Sequence, residues 1–342
     1  MPRELHGEQP TLSAIIPTHR RVGMLVDLVT RLREDPGIDE IVVAVDGADP
    51  DTESALAALA ALAQGSRGDV LRWLVLEPSV GTARAKLAAA GVARGEVLLL
   101  LDDDVLPARS VGAGHARHHA DGAGLVVLGA MPVAVEASSP ASVRLYDLHY
   151  RAAVEKYRQD PDSVLGELWG GHVSVRRSDY LALREEILRY PRVAHEDRHF
   201  GLVAQAAGLR GRYDDSLVVH HRVTRGWHGL LRESLRQGQG DGALHALHPQ
   251  LGPVDVDEPL EGANPLVKAI VRRTDRDGPR RAVLGSLHGL TTAADRLRLT
   301  RTAERAAFAA TLVARRQGAS GRAGAPPHPQ GAGAHGPAGG DG

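Results

Sequence analysis

The sequence contains no cysteine in 342 residues, which excludes disulfide bonds and metal sites built on thiolates. It also lacks an apolar run of the ~18 to 20 residues that a membrane-spanning helix needs, and residues 1–10 lack the apolar centre of a signal peptide. The 41 lysines and arginines balance 42 aspartates and glutamates, so no net field favours nucleic acid as a partner. These absences predict a cytoplasmic globular protein with one large α/β domain or two smaller ones.

The first part of the chain alternates short apolar runs with segments of helical periodicity. The runs LSAIIPTHR, EIVVAVDG, LRWLVLE and EVLLLLDDD predict buried strands, and segments 22–32, 52–64 and 82–93 predict the helices between them. This order is typical of parallel βαβ units, in which helices cover both faces of the sheet. Ligands of such open sheets bind outside the carboxyl ends of the strands. Polar residues fall at three of these ends: Pro17 and Thr18, Asp46 and Gly47, and Asp102 to Asp104.

Beyond residue 107 the pattern is less regular. GLVVLGAMPVAV, GELWGGHVSVRR and GRYDDSLVVHH each predict a strand, whereas segment 142–158 and HEDRHFGLVAQAAG predict helices. Helical periodicity returns at 265–316, where 12 basic and 4 acidic residues give a net charge of +8. The remainder from Gly318 is rich in glycine, alanine and proline, which predicts a disordered tail.

The run of three aspartates is the first candidate for chemistry. Two carboxylates about 4 Å apart repel by roughly 4 kcal/mol at an effective dielectric near 20, so a cation, a shifted pKa or water has to offset that repulsion. Because side chains alternate along an extended segment, Asp102 and Asp104 could share one Mg²⁺ or Mn²⁺ ion with phosphate oxygens of a substrate. An imidazole of His220 or His221, at the end of a later predicted strand, could complete that metal shell or bind phosphate. An acidic turn and a hydrogen-bonded histidine at a strand edge would explain the same residues without a ligand.

Two further segments could position and activate a substrate. Glu196 and Asp197 lie near the start of a predicted helix, where a carboxylate either caps the helix or serves as a general base. Trp169 is followed by Gly170 and Gly171, which would let the backbone approach a ligand while a sugar ring stacks on the indole. A tight turn explains the two glycines nearly as well.

Taken in order, these motifs resemble glycosyltransferase family 2 on the GT-A nucleotide-sugar fold, and the resemblance extends over residues 12–223. IPTHRR is similar to the family's I-P-T-[YF]-N-R, with Pro17 and Thr18 kept and Arg20 where asparagine is usual. VDGAD is similar to V-D-D-G-S with one aspartate fewer, so the resemblance implies that Asp46, followed by Gly47, binds the nucleobase.

The remaining motifs of the resemblance concern the diphosphate, the metal and the acceptor. GTARAKL is similar to G-x-x-x-A-R-N, with Lys86 at the basic position and Arg84 as a substitute for contact with the diphosphate. LDDD matches the D-x-D motif, and GGHVSVRRSDYL is similar to the acceptor-side G-G-N-x-[SA]-x-R segment. HEDRHF matches the E-D base motif, and SLVVHH matches a late strand whose histidine lies near the metal in some members.

The resemblance implies an α/β fold with a mostly parallel, Rossmann-like sheet of GT-A type flanked by helices. It implies a domain over 11–225, with a nucleotide-sugar half at 11–107 and an acceptor half at 108–225. A helical C-terminal extension at 226–317 and the tail at 318–342 complete the expected organisation.

The resemblance also implies a reaction, namely inverting transfer of a sugar from a nucleotide-sugar to a hydroxyl acceptor in glycan, glycolipid or natural-product biosynthesis. Mn²⁺ or Mg²⁺ at Asp102 and Asp104, with His220 or His221, would neutralise the diphosphate, and Asp102 and Asp103 would contact the donor. UDP is the commonest donor nucleotide of the family. The residues implied to act on the acceptor are Asp197 as general base with Glu196 in reserve, and Trp169, Gly170 and Gly171 as acceptor contacts within the irregular region 137–171.

Two alternatives to this reaction remain open on the sequence. A sugar-1-phosphate nucleotidyltransferase shares the sheet architecture and acidic metal residues, although PTHRRVGM is not the glycine-rich phosphate loop that such an enzyme usually has. A non-catalytic nucleotide-sugar-binding protein would not need the retained DDD and ED motifs.

The basic segment 265–316 has two interpretations. Its leucines and valines alternate with arginines, which could place the protein peripherally on an anionic membrane that carries a lipid-linked acceptor. It could equally be a helical annex packed on the catalytic domain, with a solvated basic face.

Overall fold

The computed structural model describes residues 9–62, 70–108, 110–136, 138–223, 226–255, 257, 260–261, 263–274 and 277–320. The strands in this part of the chain are β1 Leu12–Thr18, β2 Glu40–Asp46, β3 Leu71–Leu76, β4 Val97–Leu101, β5 Val105–Pro107, β6 Leu125–Ala130, β7 His172–Arg176 and β8 Arg210–His221. The helices are α1 Val22–Arg33, α2 Pro50–Ala61, α3 Thr82–Val92, α4 Gly112–His118, α5 Ala141–Gln159, α6 Ser163–Gly166, α7 Arg177–Ala182, α8 Arg184–Leu188, α9 Glu196–Ala206, α10 Trp227–Leu247, α11 Pro265–Arg273, α12 Asp277–Arg296 and α13 Thr300–Ala319.

The strands form one mixed sheet in the order β3-β2-β1-β4-β7-β6-β8-β5. Strands β3, β2, β1 and β4 are mutually parallel, as the alternation of apolar runs and helices predicts. Strand β7 is antiparallel to both β4 and β6, β6 and β8 are parallel, and the short β5 is antiparallel to β8. The parallel half therefore brings four strand ends to one edge of the sheet.

The leucine run of β4 packs into both faces of the sheet. Leu98 and Leu100 join the hydrophobic cluster on one face, and Leu99 and Leu101 join the cluster on the other. All four side chains are buried, so the strand is fixed in the sheet up to Leu101. The chain then leaves the strand, and the three aspartates follow at its carboxyl end.

The predicted elements match the observed ones best where they are long and apolar. Helix α2 begins at Pro50, two residues before the predicted start, because Asp49 caps it and accepts a hydrogen bond from the amide of Thr52. The predicted end of that helix, at residue 64, lies outside the described residues. Strand β5 and helices α4, α7 and α8 are short and have no clear period in the sequence, so they were not predicted.

Helices α10 to α13 pack on one another and on α5. Glycines allow the closest approach, since a Cβ on Gly238 would lie 1.9 Å from the carbonyl oxygen of Arg315. Residues 275 and 276 of the basic segment and residues 321–342 of the predicted tail lie outside the described residues. No helix in the described part of the chain combines the length and apolarity that crossing a membrane requires.

A buried group of histidines lies between α4 and β7. Nδ1 of His115 and Nε2 of His119 each lie 2.8 Å from the Ser174 hydroxyl, and Nε2 of His115 lies 2.8 Å from Nε2 of His172. All three imidazoles are 0% exposed. Burial lowers the pKa of His119 and of His172 to about 4 each.

These imidazoles are expected to make the free energy of unfolding depend on pH. Their folded-state pKa lies below the ordinary value near ~6.5, so the native state binds fewer protons than the unfolded chain. Their contribution, about 3 kcal/mol each, is complete above pH ~6.5 and is lost as pH falls toward ~4. Urea denaturation at a series of pH values measures this loss. His119→Gln should make the free energy of unfolding depend less on pH. The control His220→Gln, at an exposed position, should leave that dependence unchanged. An unchanged slope for His119→Gln would contradict the account.

Candidate active site

A cavity of about 1120 Å³ opens at the carboxyl ends of the parallel strands. Its volume is at the upper end of what small-molecule sites usually have, so it has room for two ligands side by side. Helices α5, α10 and α13 form the remaining wall. Of the residues predicted from the sequence, those that line the cavity are Pro17, Thr18, Asp46, Arg84, Lys86, Asp102, Asp103, Asp104, Trp169, Gly170, Glu196, Asp197 and His221.

Side chains of the protein itself offset the repulsion among the three aspartates. Asp102 Oδ1 accepts a hydrogen bond of 2.9 Å from Lys86 Nζ. Asp103 accepts hydrogen bonds from the Thr18 hydroxyl at 2.8 Å and from Arg21 Nη1 at 3.0 Å. The same Arg21 nitrogen lies 2.8 Å from Asp104 Oδ2. Each carboxylate therefore has a cationic partner.

This pairing differs from the predicted one. The sequence-based expectation puts Asp102 and Asp104 on one side, which assumes that the strand continues through them. Strand β4 ends at Leu101, and residues 103 and 104 form a turn, so Asp103 and Asp104 share one guanidinium while Asp102 contacts a different cation. Burial raises the pKa of Asp103, although the Arg21 charge and the Thr18 hydroxyl act in the opposite direction.

Lys86 connects the aspartate run to the carboxylates of α9. Its ammonium, on a side chain only 7% exposed, lies 2.9 Å from Asp102 and 3.9 Å from Asp197. Burial alone would lower the pKa of Lys86, but the charges of Asp102 and Asp197 outweigh it and raise the pKa. Lys86 is thus a buried cation held between two carboxylates, both of which line the cavity.

The two carboxylates at the start of α9 have raised pKa values. Burial, with the adjacent charge of Asp197, raises the pKa of Glu196 to about 7. Burial also raises the pKa of Asp197, with a contribution from Asp102, while Lys86 acts against the rise. The Asp197 side chain is still 37% exposed toward the cavity, so a ligand can reach it. A reachable carboxylate with a raised pKa is a candidate general base.

Polar contacts from the C-terminal helices hold the residue that precedes α9. His195 has a left-handed backbone with φ of 74°, and its Nε2 lies 3.0 Å from Asp241 Oδ1 on α10. Arg315 on α13 donates to both oxygens of Asp241, at 2.8 and 2.9 Å. Burial alone would raise the pKa of Asp241, but these hydrogen bonds have the larger effect and lower it. Helices α10 and α13 therefore help to fix where α9 begins.

The two glycines after Trp169 leave room for carboxylates. A Cβ on Gly170 would lie 2.2 Å from Asp197 Cγ, and a Cβ on Gly171 would lie 2.9 Å from Asp102 Oδ2. Gly171 also has φ of 118°, which disfavours other residues, and it does not line the cavity. The Trp169 ring packs edge-on against Tyr146, with centroids 5.4 Å apart.

Gly170→Ala is expected to destabilise the protein by about 1–3 kcal/mol, because the added methyl group displaces the Asp197 carboxylate. The melting temperature measures the effect. Gly166→Ala is the matched control, since its added Cβ would meet nothing nearer than 4.0 Å. Equal melting temperatures for the two variants would contradict the close packing of Gly170 on Asp197.

Three other predicted residues, Arg20, Gly47 and His220, lie outside the cavity lining. Arg20 is exposed, and the next residue, Arg21, occupies the cavity instead. His220 is also exposed, whereas its neighbour His221 is buried and lines the cavity.

Asp46 lines the cavity but already has several partners. Its carboxylate accepts hydrogen bonds from the Ser79 hydroxyl and from the amides of Val80 and Gly81, at 2.9, 2.5 and 3.0 Å. These bonds fix the loop that leads into α3. Arg84 also lines the cavity, and its guanidinium donates to the carbonyl oxygen of Leu188 at 3.1 Å.

The best pair for a divalent cation is Asp104 with His221. His221 Nε2 lies 3.3 Å from Asp104 Oδ1, and its Nδ1 lies 2.8 Å from the hydroxyl of Tyr146, a residue that sequence reasoning missed. Within the described ranges, no three histidine, aspartate or glutamate side chains form a metal-binding group. Mg²⁺ sites in enzymes that bind phosphates commonly use one or two carboxylates and complete the shell with phosphate oxygens and water. The Asp104–His221 pair fits a cation of that kind, held jointly with a substrate.

Comparison with known proteins finds a family whose model matches the first part of the chain. The family described as "Glycosyl transferase family 2" matches residues 13–180. No curated protein sequence matches the chain. Among solved structures, the chain is similar to the mannosyltransferase PcManGT from Pyrobaculum calidifontis in complex with GDP-Man and Mn²⁺, at 20% identity and a TM-score of 0.56, over 91% of this chain and 87% of that chain. It is also similar to GalNAc-T7 with UDP, GalNAc and Mn²⁺, at 14% identity and a TM-score of 0.46, over 63% of this chain and 44% of that chain. The likeness to the first structure confirms the predicted GT-A fold.

Proposed function

We propose, from the match of residues 13–180 to glycosyltransferase family 2, that the cavity transfers a sugar from a nucleotide-sugar to an acceptor hydroxyl by one inverting displacement. The observation that supports this most is the chain of contacts Asp102–Lys86–Asp197. It places a buried cation between the aspartate run, where the donor would bind, and a carboxylate that can accept a proton.

The donor half of the proposed site lies at the carboxyl ends of β1 to β4. A nucleoside diphosphate is anionic, and the cationic side chains that line this region include Arg21, Arg84, Lys86 and Arg192. Asp104 and His221 would hold Mn²⁺ or Mg²⁺, which supplies positive charge to the diphosphate as a leaving group. Lys86 would add to that charge from within the wall, where its effect is strongest because little water reaches it.

The proposed base is Asp197. As the acceptor oxygen attacks C1 of the sugar, the bond from C1 to the diphosphate oxygen breaks, and the acceptor proton passes to the Asp197 carboxylate. Burial raises the pKa of Asp197, which makes it a better proton acceptor than an exposed aspartate. Glu196 lines the same cavity and is the reserve candidate. The product sugar would have the inverted anomeric configuration.

The acceptor half of the proposed site is the wall formed by α5, α10 and α13. Its apolar members are Leu145, Leu230, Phe308 and Leu312. Trp169 and Gly170 line the same cavity, and we propose that they contact the acceptor. This mixture of apolar and polar surface suits an acceptor with both a hydroxyl and an apolar portion.

A thermal-shift screen against UDP- and GDP-linked sugars with Mn²⁺ tests the donor proposal. A ligand that binds the native state at about 100 times its Kd stabilises it by roughly 2.7 kcal/mol. At least one nucleotide-sugar should raise the melting temperature with Mn²⁺ or Mg²⁺, and the rise should shrink with chelator or with Asp104→Asn. A screen in which no nucleotide-sugar shifts the melting temperature would contradict the donor proposal, and a shift unaffected by chelator would contradict the metal.

A further inference from the structure

The second half of α12 and the turn that follows it expose three large apolar side chains. Leu290 is 49% exposed, Leu297 is 69% exposed and Leu299 is 52% exposed. Leu297 and Leu299 lie in the turn itself, whereas Leu290 lies within α12, about two helical turns before that helix ends at Arg296. Leu297 and Leu299 form an apolar tip at this end of the helical pair, and Leu290 is a third exposed leucine on α12.

Arginines surround this tip. Arg296, Arg298, Arg301 and Arg305 are all exposed, and no ion pair in the described part of the chain involves them. The acidic residues of this stretch, Asp295 and Glu304, both bind Arg144 on α5, at 2.8 and 2.9 Å, so they offset only a small part of the charge of the four arginines. The net charge of the tip is therefore positive.

We propose that Leu290, Leu297 and Leu299, with the four arginines around them, form a docking surface for an anionic lipid bilayer. Leucines that enter the interface and arginines that contact lipid phosphates are the combination that holds peripheral proteins on such membranes. A second copy of the chain is a poor occupant, because a two-fold contact would place the same positive patch against itself. Anionic lipid complements both the charge and the apolar character of the tip.

The docking surface lies beside the acceptor half of the cavity. The amide of Ala141, which begins α5, donates to Asp295 Oδ2 at 3.1 Å, so α5 is attached to the end of α12. One turn further along α5, Leu145 lines the cavity, and Phe308 on α13 lines it as well. A bilayer in contact with the tip would therefore be close to the wall proposed for the acceptor.

The structure narrows the membrane contact expected from the sequence. Val267, Val271 and Leu287 of segment 265–316 are buried in the hydrophobic cluster of the C-terminal helices, so they are not available to lipid. Leu266 on α11 is 70% exposed but lies outside the tip. The docking surface is thus confined to residues 290–305.

Flotation with vesicles of phosphatidylcholine alone and of phosphatidylcholine with 30% phosphatidylglycerol (about one anionic lipid in three) tests the proposal with the full chain. The wild-type protein should float with the anionic vesicles, and the bound fraction should fall at high salt and without anionic lipid. Two double variants should each reduce vesicle binding about 10-fold or more: Leu297→Ser with Leu299→Ser, and Arg298→Gln with Arg301→Gln. Leu266→Ser and Arg273→Gln, at exposed positions outside the tip, are the matched controls and should bind as the wild type does.

Two results would overturn the docking surface: no binding of the wild type to anionic vesicles, or equal binding by tip variants and controls. Self-association of the wild type that the tip variants abolish, without vesicle binding, would assign the tip to a second copy instead. Melting temperatures of all variants should match the wild type, since the replaced side chains are exposed. Donor binding in the thermal-shift screen is a separate readout, so failure of the docking surface and failure of the proposed reaction are distinguishable.

Discussion

Asp197→Asn is expected to lower the rate of sugar transfer by about 10²- to 10⁴-fold, because the variant cannot accept the acceptor proton. Asparagine has nearly the same shape, so the contact with Gly170 is preserved, and Lys86 keeps Asp102 as its partner. Donor affinity should therefore change little. Initial rates at saturating donor measure the loss, and thermal shift with the same donor measures the retained binding.

Glu196→Gln is the matched control for this variant. Glu196 is adjacent in sequence and also lines the cavity, but Asp197 is the carboxylate that faces Lys86. The control should lose much less activity than Asp197→Asn. The wild-type rate should fall as pH drops through the raised pKa of the base, since only the deprotonated carboxylate accepts a proton. Near-full transfer by Asp197→Asn, or a larger loss for Glu196→Gln, would show that the base is assigned to the wrong residue.

Lys86→Gln is expected to lower transfer by about 10²- to 10³-fold, the usual effect of removing one charge-stabilising group from an active site. It removes the buried cation between Asp102 and Asp197, so the leaving diphosphate loses a positive charge. The same change should raise the pKa of Asp197 further, because Lys86 now holds it down. The rate should therefore be lower, and the pH–rate profile should also shift to higher pH.

Arg84→Gln tests which of the two predicted basic residues, Lys86 or Arg84, contacts the diphosphate. Arg84 already donates to a backbone carbonyl, and its side chain is not buried between carboxylates. Its loss is expected to cost less than about 10-fold, in the range of a peripheral contact. A larger loss for Arg84→Gln than for Lys86→Gln would assign the diphosphate to Arg84. In Lys86→Gln the carboxylates of Asp102 and Asp197 lose their cationic partner, so the melting temperature of this variant should be measured in parallel with its activity.

The sequence was informative where one physical rule acts alone. The four parallel strands follow from apolar runs, and their carboxyl ends locate the cavity because a parallel sheet brings those ends together. The choice of His221 over His220 was also within reach, because β8 alternates and buries Leu217, Val219 and His221 on one side. The same alternation of side chains does not extend to Asp102 and Asp104, because both lie beyond the end of β4.

Other features depend on contacts that no local pattern specifies. Arg21 was missed because the residue order of the motif pointed to Arg20, and the backbone turn at the end of β1 decides which guanidinium enters the cavity. The contact of His195 with Asp241 joins residues on separate elements, and neither position has a sequence signal of its own. Helical periodicity predicted apolar faces in the C-terminal segment, but it could not say that most of them pack on α13 and on one another.

The sequence is compatible with three functions, and the match of residues 13–180 to glycosyltransferase family 2 favours one of them. A sugar-1-phosphate nucleotidyltransferase would form and break a bond at phosphorus, whereas the proposed reaction breaks the bond from the sugar's C1 to the diphosphate oxygen. A binding protein would break neither. The products of donor cleavage therefore discriminate among all three more directly than binding does.

The most direct test is to incubate the protein with UDP- and GDP-linked sugars and Mn²⁺, without added acceptor, and to identify the products by ³¹P NMR. Slow hydrolysis of at least one donor should release the nucleoside diphosphate, and Asp104→Asn should abolish that release. Formation of sugar 1-phosphate, together with nucleoside triphosphate when pyrophosphate is added, or the absence of any product from every donor, would contradict the proposal that this cavity transfers a sugar from a nucleotide-sugar.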